Sequence, residues 1–203
     1  MLDFTFHNAT KIVFGRDTEK QVGQEISRYG KRVLLHYGGG SIKKTGLYDR
    51  VVKSLKESGV EIFELGGVMP NPRLSLVREG IELCRKENVD AILAVGGGSV
   101  IDSAKAIGIG VPYEGDVWEF YSSNRKVEEM LPLGVVLTIP AAGSESSGGS
   151  VVTNEDGWYK RATNSVVMRA RFAIMNPELT FTLPDYQTAV GAVDIMSHVM
   201  ERY

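Results

Sequence analysis

Asp194 and His198 are two side chains whose types and spacing could hold a metal ion. They stand four residues apart in "AVGAVDIMSHVMERY", and residues at this spacing share one face of a helix. A carboxylate oxygen and an imidazole nitrogen could then bind the same ion. Two residues at this spacing are more often exposed neighbours on a helix than metal ligands. Other parts of the chain must therefore support a metal site.

A glycine turn in "AILAVGGGSVIDSAKAIGIG" (residues 91–110) offers a phosphate-binding site. The pattern predicts a buried strand, a turn, and a helix with Ser99 as its N-cap and Asp102 completing a capping box. Ligands of open α/β sheets bind at the carboxyl ends of strands, where glycines let backbone N–H groups approach a phosphate. We predict Gly97, Gly98 and Ser99 as pyrophosphate contacts. A plain strand-to-helix turn is a compatible alternative, since the GxGxxG spacing is absent.

A second glycine turn follows another apolar strand in "LLHYGGGSIKKTG". Dinucleotide-binding domains often carry an acid here for the ribose 2′-OH. This turn has no carboxylate to repel a 2′-phosphate, which favours NADP over NAD. Lys43 and Lys44 could assist or could simply begin a solvated helix. The residues predicted to contact the cofactor at this turn are Gly38, Gly39, Gly40 and Ser41.

Five apolar runs alternate with helical patterns and predict a parallel sheet that is covered on both faces. One helix is predicted over "TEKQVGQEISRYG", with Thr18 and Gln21 as a capping box and Gly30 at its end. Another, in "LSLVREGIELCRKEN", places Val77 and Ile81 on its buried face. The strands are predicted at residues 31–37, 60–65, 91–95, 134–140 and 171–175. The fold class is therefore α/β, doubly wound.

The pattern changes near residue 180, where Pro184 is placed to open a helix and no further strand follows. We therefore predict a dinucleotide-binding domain over residues 1–180 and the start of a helical domain over residues 181–203. A third small-residue turn, "TIPAAGSESSGGS", follows the strand predicted to end at Ile139, and its hydroxyls could touch ribose or nicotinamide.

The composition excludes several classes of protein. The 203 residues are 43% hydrophobic and 24% charged, as in an ordinary folded domain. With a formal net charge of −2 and no basic stripe, nucleic acid is a poor partner. We see no signal peptide or membrane span, and the single cysteine, Cys84, favours a cytoplasmic setting.

The stretches "GGGSVIDSAKA" and "DIMSH" together resemble the iron-containing (group III) alcohol dehydrogenases. "YGGGSIKKTGLYDRV" and "TIPAAGSESSGGS" resemble the butanol dehydrogenase and broad aldehyde reductase branch of that family. The resemblance implies a dehydroquinate synthase-like fold, with a dinucleotide-binding domain, an all-helical domain and Fe(II) or Zn(II) between them. It also implies a homodimer that interconverts primary alcohols, such as butanol, and aldehydes with NAD(H) or NADP(H).

Residue by residue, the resemblance implies a metal site that includes Asp194 and His198. The other two ligands of the family are histidines of the helical domain, so we expect the natural chain to continue past Tyr203. His7 and His36 match no ligand position. The residues matched to the cofactor site are Gly38, Gly39, Ser41, Asn71, Gly97, Gly98, Ser99, Asp102, Thr138, Ser147, Lys160 and Leu179.

Two alternatives remain open at this point. The chain could belong to another enzyme of the same superfamily, resembling glycerol dehydrogenase or 3-dehydroquinate synthase. It could also be, as given, a dinucleotide-binding module without catalysis, because two of the expected metal ligands are missing from it.

Overall fold

A six-stranded sheet in which every neighbouring pair is parallel lies at the centre of the molecule. The computed structural model describes Asp3, Thr5 and residues 7–123 and 125–201. The strands are β1 (Lys11–Phe14), β2 (Arg32–Gly38), β3 (Glu61–Val68), β4 (Ala91–Gly96), β5 (Leu133–Leu137), β6 (Gly149–Asn154), β7 (Tyr159–Asn164) and β8 (Phe172–Met175). Their order in the sheet is β1-β8-β5-β4-β2-β3, while β6 and β7 form a separate antiparallel hairpin.

Helices follow most strands of the sheet. They are α1 (Val22–Ile26), α2 (Ser41–Lys44), α3 (Leu47–Glu57), α4 (Leu74–Lys86), α5 (Gly98–Gly110), α6 (Glu119–Ser122) and α7 (Asp185–Met200). Short 3-10 turns cover Thr18–Gln21, Val166–Met168 and Pro177–Thr180. Among the described residues, no helix is long and apolar enough to cross a membrane.

Two apolar layers cover the sheet, one on each face. Side chains alternate along β2, so that Val33 and Leu35 pack with α1 and α3, whereas Leu34 packs with α4 and α5. Strand β4 is buried throughout, as expected for a strand covered on both faces. Each fully buried Leu or Ile side chain contributes about 1.5–3 kcal/mol to folding. The doubly wound α/β fold class predicted from the sequence is confirmed.

The chain reverses its direction across the sheet between β2 and β4. From β2 it passes through α3 to β3 on one side, and from β4 it passes through α5 to β5 on the other. Because α3 and α5 lie on opposite faces, a crevice opens between the carboxyl ends of these two strands. Open α/β sheets bind their ligands at such a switch point.

The helix predicted from Thr18 to Gly30 is wrong in its extent and its capping. The segment forms a 3-10 turn and the short helix α1, and the Thr18 hydroxyl donates to the Gly15 carbonyl oxygen over 2.9 Å instead of capping a helix. Glu19 is buried because Arg50 and Asn176, which are remote in sequence, donate to its carboxylate over 2.9 and 2.8 Å. These tertiary contacts override the local pattern.

Other boundaries also differ from the sequence predictions. Strand β5 ends at Leu137 rather than at residue 140. The N-cap of α5 is Gly97, so Ser99 already lies inside the helix and the predicted capping box does not form. Helix α7 begins directly after Pro184, as predicted. The assignment of residues 181–203 to a second, helical domain stays a prediction.

Candidate functional site

The loops after β4 and β5 meet at the crevice. An added β-carbon on Gly97 would stand 2.3 Å from Cγ2 of Ile139, so only glycine allows this contact. Ile139 also lines two cavities, of about 440 and 610 Å³, on the same side of the molecule. The three turns predicted to bind a cofactor thus converge at the carboxyl end of the sheet.

The N-terminus of α5 opens into this crevice. The first hydrogen bond of the helix runs from Val100 N–H to Gly97 O (3.0 Å), so the N–H groups of Gly98 and Ser99 precede it. Such leading N–H groups, at the positive end of the helix dipole, suit a phosphate. The nearest atom to an added β-carbon on Gly98 is Ser144 Cβ, at 4.0 Å, which leaves the turn open on that side.

The glycine turn after β2 is open and carries a positive φ. Gly40 has φ 106°, and nothing lies within 4 Å of an added β-carbon on Gly39 or Gly40. The ammonium of Lys43 lies 5.0 and 4.7 Å from the ring centroids of Tyr37 and Tyr48. Lys43 is therefore held over two aromatic rings, as in a cation–π contact, while it lies exposed within the short helix α2.

A cavity of about 440 Å³ joins this turn to the end of the sheet. Ser41 lies at one side of it, Thr138 and Ile139 at another, and Leu179, from the turn after β8, at a third. Arg50 completes the polar side of the cavity while its Nε donates to Glu19. The sequence-predicted residues Ser41, Thr138 and Leu179 are therefore brought together although 138 residues of chain separate the first from the last.

Residues 143–149, here named the serine turn, fold back onto α5. Ser144 Oγ donates to Asp102 Oδ1 (2.6 Å), and the N–H of Val151 donates to Asp102 Oδ2 (3.1 Å). Burial raises the pKa of Asp102, against the opposing effect of the Ser144 hydrogen bond. Gly98, Asp102, Ser144 and Ser147 line one cavity of about 370 Å³. Asp102 thus links the start of α5 to the serine turn instead of capping the helix.

Lys105, one turn further along α5, is fully buried beneath the serine turn. Its ammonium donates to the carbonyl oxygens of Ser144 (2.8 Å), Ser147 (2.9 Å) and Gly149 (2.7 Å), and lies 3.3 Å from Ser147 Oγ. Burial lowers the pKa of Lys105 to about 8, and the negative charge of Asp102 opposes that shift. Ser147, predicted to line the cofactor, directs its hydroxyl inward to this network.

Asn71 and Lys160 form a bridge on the exposed side of the molecule. Lys160 Nζ, from β7, donates to Asn71 Oδ1 over 2.7 Å. Asn71 follows β3 and has φ 57°, in the left-handed region that Asn tolerates better than most residues. Two residues that the resemblance matched to the cofactor site are therefore in direct contact.

The Asp194–His198 pair lies on α7, and both side chains are 48% exposed. Asp194 Oδ1 and His198 Nε2 are 3.8 Å apart, which is too long for a hydrogen bond. Two metal bonds of about 2.1 Å can span this gap, so the donor set fits half of a divalent metal site. Among residues 7–123 and 125–201, no group of three or more His, Cys, Asp or Glu could complete it.

The cavity of about 610 Å³ extends from Asp194 to the loop after β5. Asp194 and Gly191 line one wall, and Ile139, Pro140 and Ala141 line another. An added β-carbon on Gly191 would stand 3.8 Å from the Pro140 carbonyl oxygen, an ordinary van der Waals distance, so α7 lies close to the loop after β5 at this residue. Asp194 therefore lies on the side of α7 that faces this cavity.

Comparison with known proteins identifies the family. A family model described as iron-containing alcohol dehydrogenase matches residues 9–177. The chain belongs to this family. The resemblance inferred from the glycine turns and "DIMSH" is confirmed.

Three relatives illustrate the match. The chain is 53% identical over its whole length to a probable NADH-dependent butanol dehydrogenase 2 of Bacillus subtilis, covering 52% of that protein. It is 38% identical to the NADPH-dependent aldehyde reductase YqhD of Escherichia coli, again over 52% of the relative. The crystal structure of NADH-dependent butanol dehydrogenase A of Thermotoga maritima superposes with a TM-score of 0.94 at 50% identity, over 98% of this chain and 50% of that one. The chain spans about half the length of the curated relatives it matches.

Sequence reasoning missed the buried polar contacts of Lys105 and His36. Lysine is usually an exposed residue, and its spacing of three from Asp102 was the one available signal. His36 is buried within β2, with Nδ1 2.8 Å from the Leu65 carbonyl oxygen and Nε2 2.9 Å from Ser103 Oγ. Both of its ring nitrogens thus have partners within the core of the domain.

Proposed function

We propose that this chain is the dinucleotide-binding half of an NAD(P)-dependent alcohol dehydrogenase that interconverts primary alcohols, such as butanol, and aldehydes. The observation that carries the proposal is the N-terminus of α5, where Gly97 is packed against Ile139 and the N–H groups of Gly98 and Ser99 precede the first hydrogen bond of the helix. Membership of the iron-containing alcohol dehydrogenase family and the names of the relatives support the reaction class.

Each turn has a distinct part in cofactor binding under this proposal. The N–H groups at the start of α5 hold the pyrophosphate. The cavity between Ser41, Thr138 and Leu179 holds the adenosine end. Asp102 and the serine turn border the nicotinamide end, and the Asn71–Lys160 bridge closes the exposed side. This division places the cofactor along the carboxyl edge of β2, β4 and β5.

Asp194 and His198 would hold a divalent metal, Fe(II) or Zn(II), together with ligands from outside the described residues. When bound, the metal supplies a Lewis acid for the substrate oxygen, and the dinucleotide exchanges a hydride with the adjacent carbon. The contribution of the chain is orientation: α7 brings Asp194 to the cavity that Ile139 and Pro140 also line, and His198 lies one turn further along the same helix. Positioning of this kind accounts for a large part of enzymatic rate enhancement.

The turn after β2 is proposed to admit either dinucleotide. Gly39 and Gly40 leave open space and present no carboxylate, so a 2′-phosphate is tolerated. NADH-dependent names occur among relatives at 53–42% identity and an NADPH-dependent name at 38%. The affinities for NADH and NADPH, measured side by side, test this point.

The deciding experiment uses the full-length natural protein loaded with Fe(II) or Zn(II). We expect the protein to reduce butanal with NADH or NADPH, as measured by the loss of absorbance of the reduced cofactor. We expect it to oxidise glycerol more slowly. Preferential oxidation of glycerol would favour the glycerol dehydrogenase-like alternative. Dinucleotide binding with no turnover of any alcohol or aldehyde would favour the alternative that the protein is a binding module without catalysis.

A homodimer in the cytoplasm completes the proposal. The single cysteine, Cys84, is buried in the core, where burial raises its thiol pKa to about 12 and keeps it unreactive. A buried thiol of this kind suits a reducing compartment. Light scattering of the purified full-length protein tests the oligomeric state.

A further inference from the structure

Lys105 is a buried charge whose contacts all lie in one short loop. Its side chain is fully buried, yet its ammonium meets three main-chain carbonyl oxygens of the serine turn at 2.7–2.9 Å. An ammonium has three N–H donors, so these three carbonyls use all of them. A buried charge is costly unless its hydrogen bonds are complete, and here the serine turn supplies the complete set.

The serine turn in turn forms a wall of the crevice. Ser144 donates to Asp102 and lies with its Cβ 4.0 Å from the position of an added β-carbon on Gly98. Ser147 and Gly149, whose carbonyl oxygens accept the other two hydrogen bonds from Lys105, line the same cavity as Gly98 and Asp102. A shift of the turn would therefore change the cavity that Gly98, the first residue of α5, also lines.

We propose that Lys105 is a positioning residue for the cofactor: from beneath the crevice, its ammonium holds the serine turn against the N-terminus of α5. The inference rests on the proposed dinucleotide binding. Lys105 has no contact with the crevice itself, since its Nζ is bonded to Ser144, Ser147 and Gly149. Its effect on the cofactor is indirect and acts through Asp102, Ser144 and Gly98.

Loss of the ammonium proton removes one of the three donors. A neutral amine offers two N–H groups to three carbonyl oxygens, so one carbonyl loses its partner and the turn loosens. The charged groups that act on Lys105 are Asp102 on its own helix, Glu145 in the serine turn, and Arg169 before β8. Arg169 also donates to the Ser146 carbonyl oxygen over 2.6 Å. Because the pKa of Lys105 is lowered to about 8, the loss of its ammonium proton falls between pH 7 and 9.5, where binding can be measured.

The test measures NADH affinity by fluorescence in the metal-loaded, full-length protein between pH 7 and 9.5. The wild type is expected to bind NADH more weakly as pH rises, with a midpoint near pH 8. Lys105→Arg, which keeps its charge, is expected to give a flat profile. Lys105→Met is expected to bind roughly tenfold or more weakly already at pH 7, because small misplacements in a site are costly. An unchanged decline in Lys105→Arg, or wild-type affinity in Lys105→Met, would overturn the inference.

Two controls separate positioning from general stability. Lys86→Met makes the same replacement at an exposed site at the end of α4 and is expected to leave NADH affinity unchanged. Ile26→Ala creates a cavity in α1, in the core layer on the other face from α5, and is expected to lower the melting temperature without moving the NADH profile. If Ile26→Ala shifts the profile as Lys105→Met does, Lys105 has only a structural role.

Hydrogen exchange gives a readout that needs no variant. The amides of residues 144–151 in the wild type are expected to lose protection between pH 7 and 9.5, beyond the intrinsic pH dependence of exchange, while those of β4 keep theirs. Constant protection of the serine turn across this range would overturn the inference. Absence of any NADH binding by the wild type would instead contradict the proposed function.

Discussion

Cγ2 of Ile139 occupies the space that a side chain at Gly97 would need: an added β-carbon on Gly97 would stand 2.3 Å from it. Gly97 is the N-cap of α5 and has extended backbone angles that alanine could adopt. The glycine is therefore required by packing and not by conformation. The contact sets the distance between the turns that follow β4 and β5.

Gly97→Ala is expected to weaken NADH binding about tenfold, because the added methyl displaces Ile139 at a cost of roughly 1–3 kcal/mol. Fluorescence titration measures the effect. The matched control is the double variant Gly97→Ala/Ile139→Ala, compared with Ile139→Ala. The loss caused by alanine at position 97 is expected to shrink when Ile139 is truncated, and equal losses in both backgrounds would contradict the packing explanation.

Gly39→Asp is expected to weaken NADPH binding by about tenfold or more and to spare NADH, through repulsion between a carboxylate and the 2′-phosphate. The position is suitable, since no atom lies within 4 Å of an added β-carbon on Gly39. Gly39→Asn, which has the same shape without the charge, is the control and is expected to leave the ratio of the two affinities unchanged. Equal losses for both cofactors in Gly39→Asp would count against this turn as the 2′ position.

His198→Asn is expected to lower the affinity for Fe(II) or Zn(II) by more than the roughly 10- to 100-fold that an outer-shell change costs. The reason is the loss of one donor from the pair on α7, while the glycine turns are untouched. Metal content by elemental analysis and NADH affinity by titration are both measured in the full-length protein. His7→Asn, which changes an exposed histidine elsewhere, is the control. Retention of metal by His198→Asn would remove this residue from the site.

His36 is expected to make the fold less stable in mild acid. Burial lowers its pKa to about 4, from 6.5 in the unfolded chain, so the unfolded state binds the extra proton between these values. Stability is then lost as pH falls below about 6.5, by roughly 2 kcal/mol at pH 5. Urea unfolding at pH 7 and pH 5 measures the change. In His36→Gln, which keeps a donor and an acceptor, this part of the loss is expected to vanish; the same loss in both proteins would exclude His36 as its source.

The sequence predicted the elements whose side chains are buried on two faces. The observed bounds of β2 and β4 lie within one residue of the predicted ones. The reason is that a continuous apolar run is typical of a strand that is buried on both faces of a parallel sheet. Helix α4 was predicted from its apolar stripe, and Val77, Ile81 and Cys84 are all buried. The glycine turns were predicted by the same reasoning, because a run of glycines directly after a buried strand indicates a tight turn, a phosphate-binding turn or both.

The elements that were missed depend on contacts remote in the chain. Strand β1 has four residues and mixed exposure, and only its pairing with β8 makes it a strand. The β6–β7 hairpin is largely polar, and it is held through Ser150 and Val151, which bond to Asp102. Lys105 is buried by carbonyls 39 to 44 residues away. No local sequence pattern indicates contacts with residues so remote in the chain.

The pairing of β1 with β8 also bears on how the chain folds. Lys11 is registered opposite Phe172, and within the sheet β1 has no neighbour other than β8. During synthesis, at about 5–20 residues per second, the first strand has no partner for roughly ten to thirty seconds. Its apolar residues Ile12 and Phe14, which stay exposed even after pairing, are then accessible to chaperones and to other nascent chains. Closure of the sheet by β8 is thus a late step, and long-range parallel pairing of this kind folds slowly.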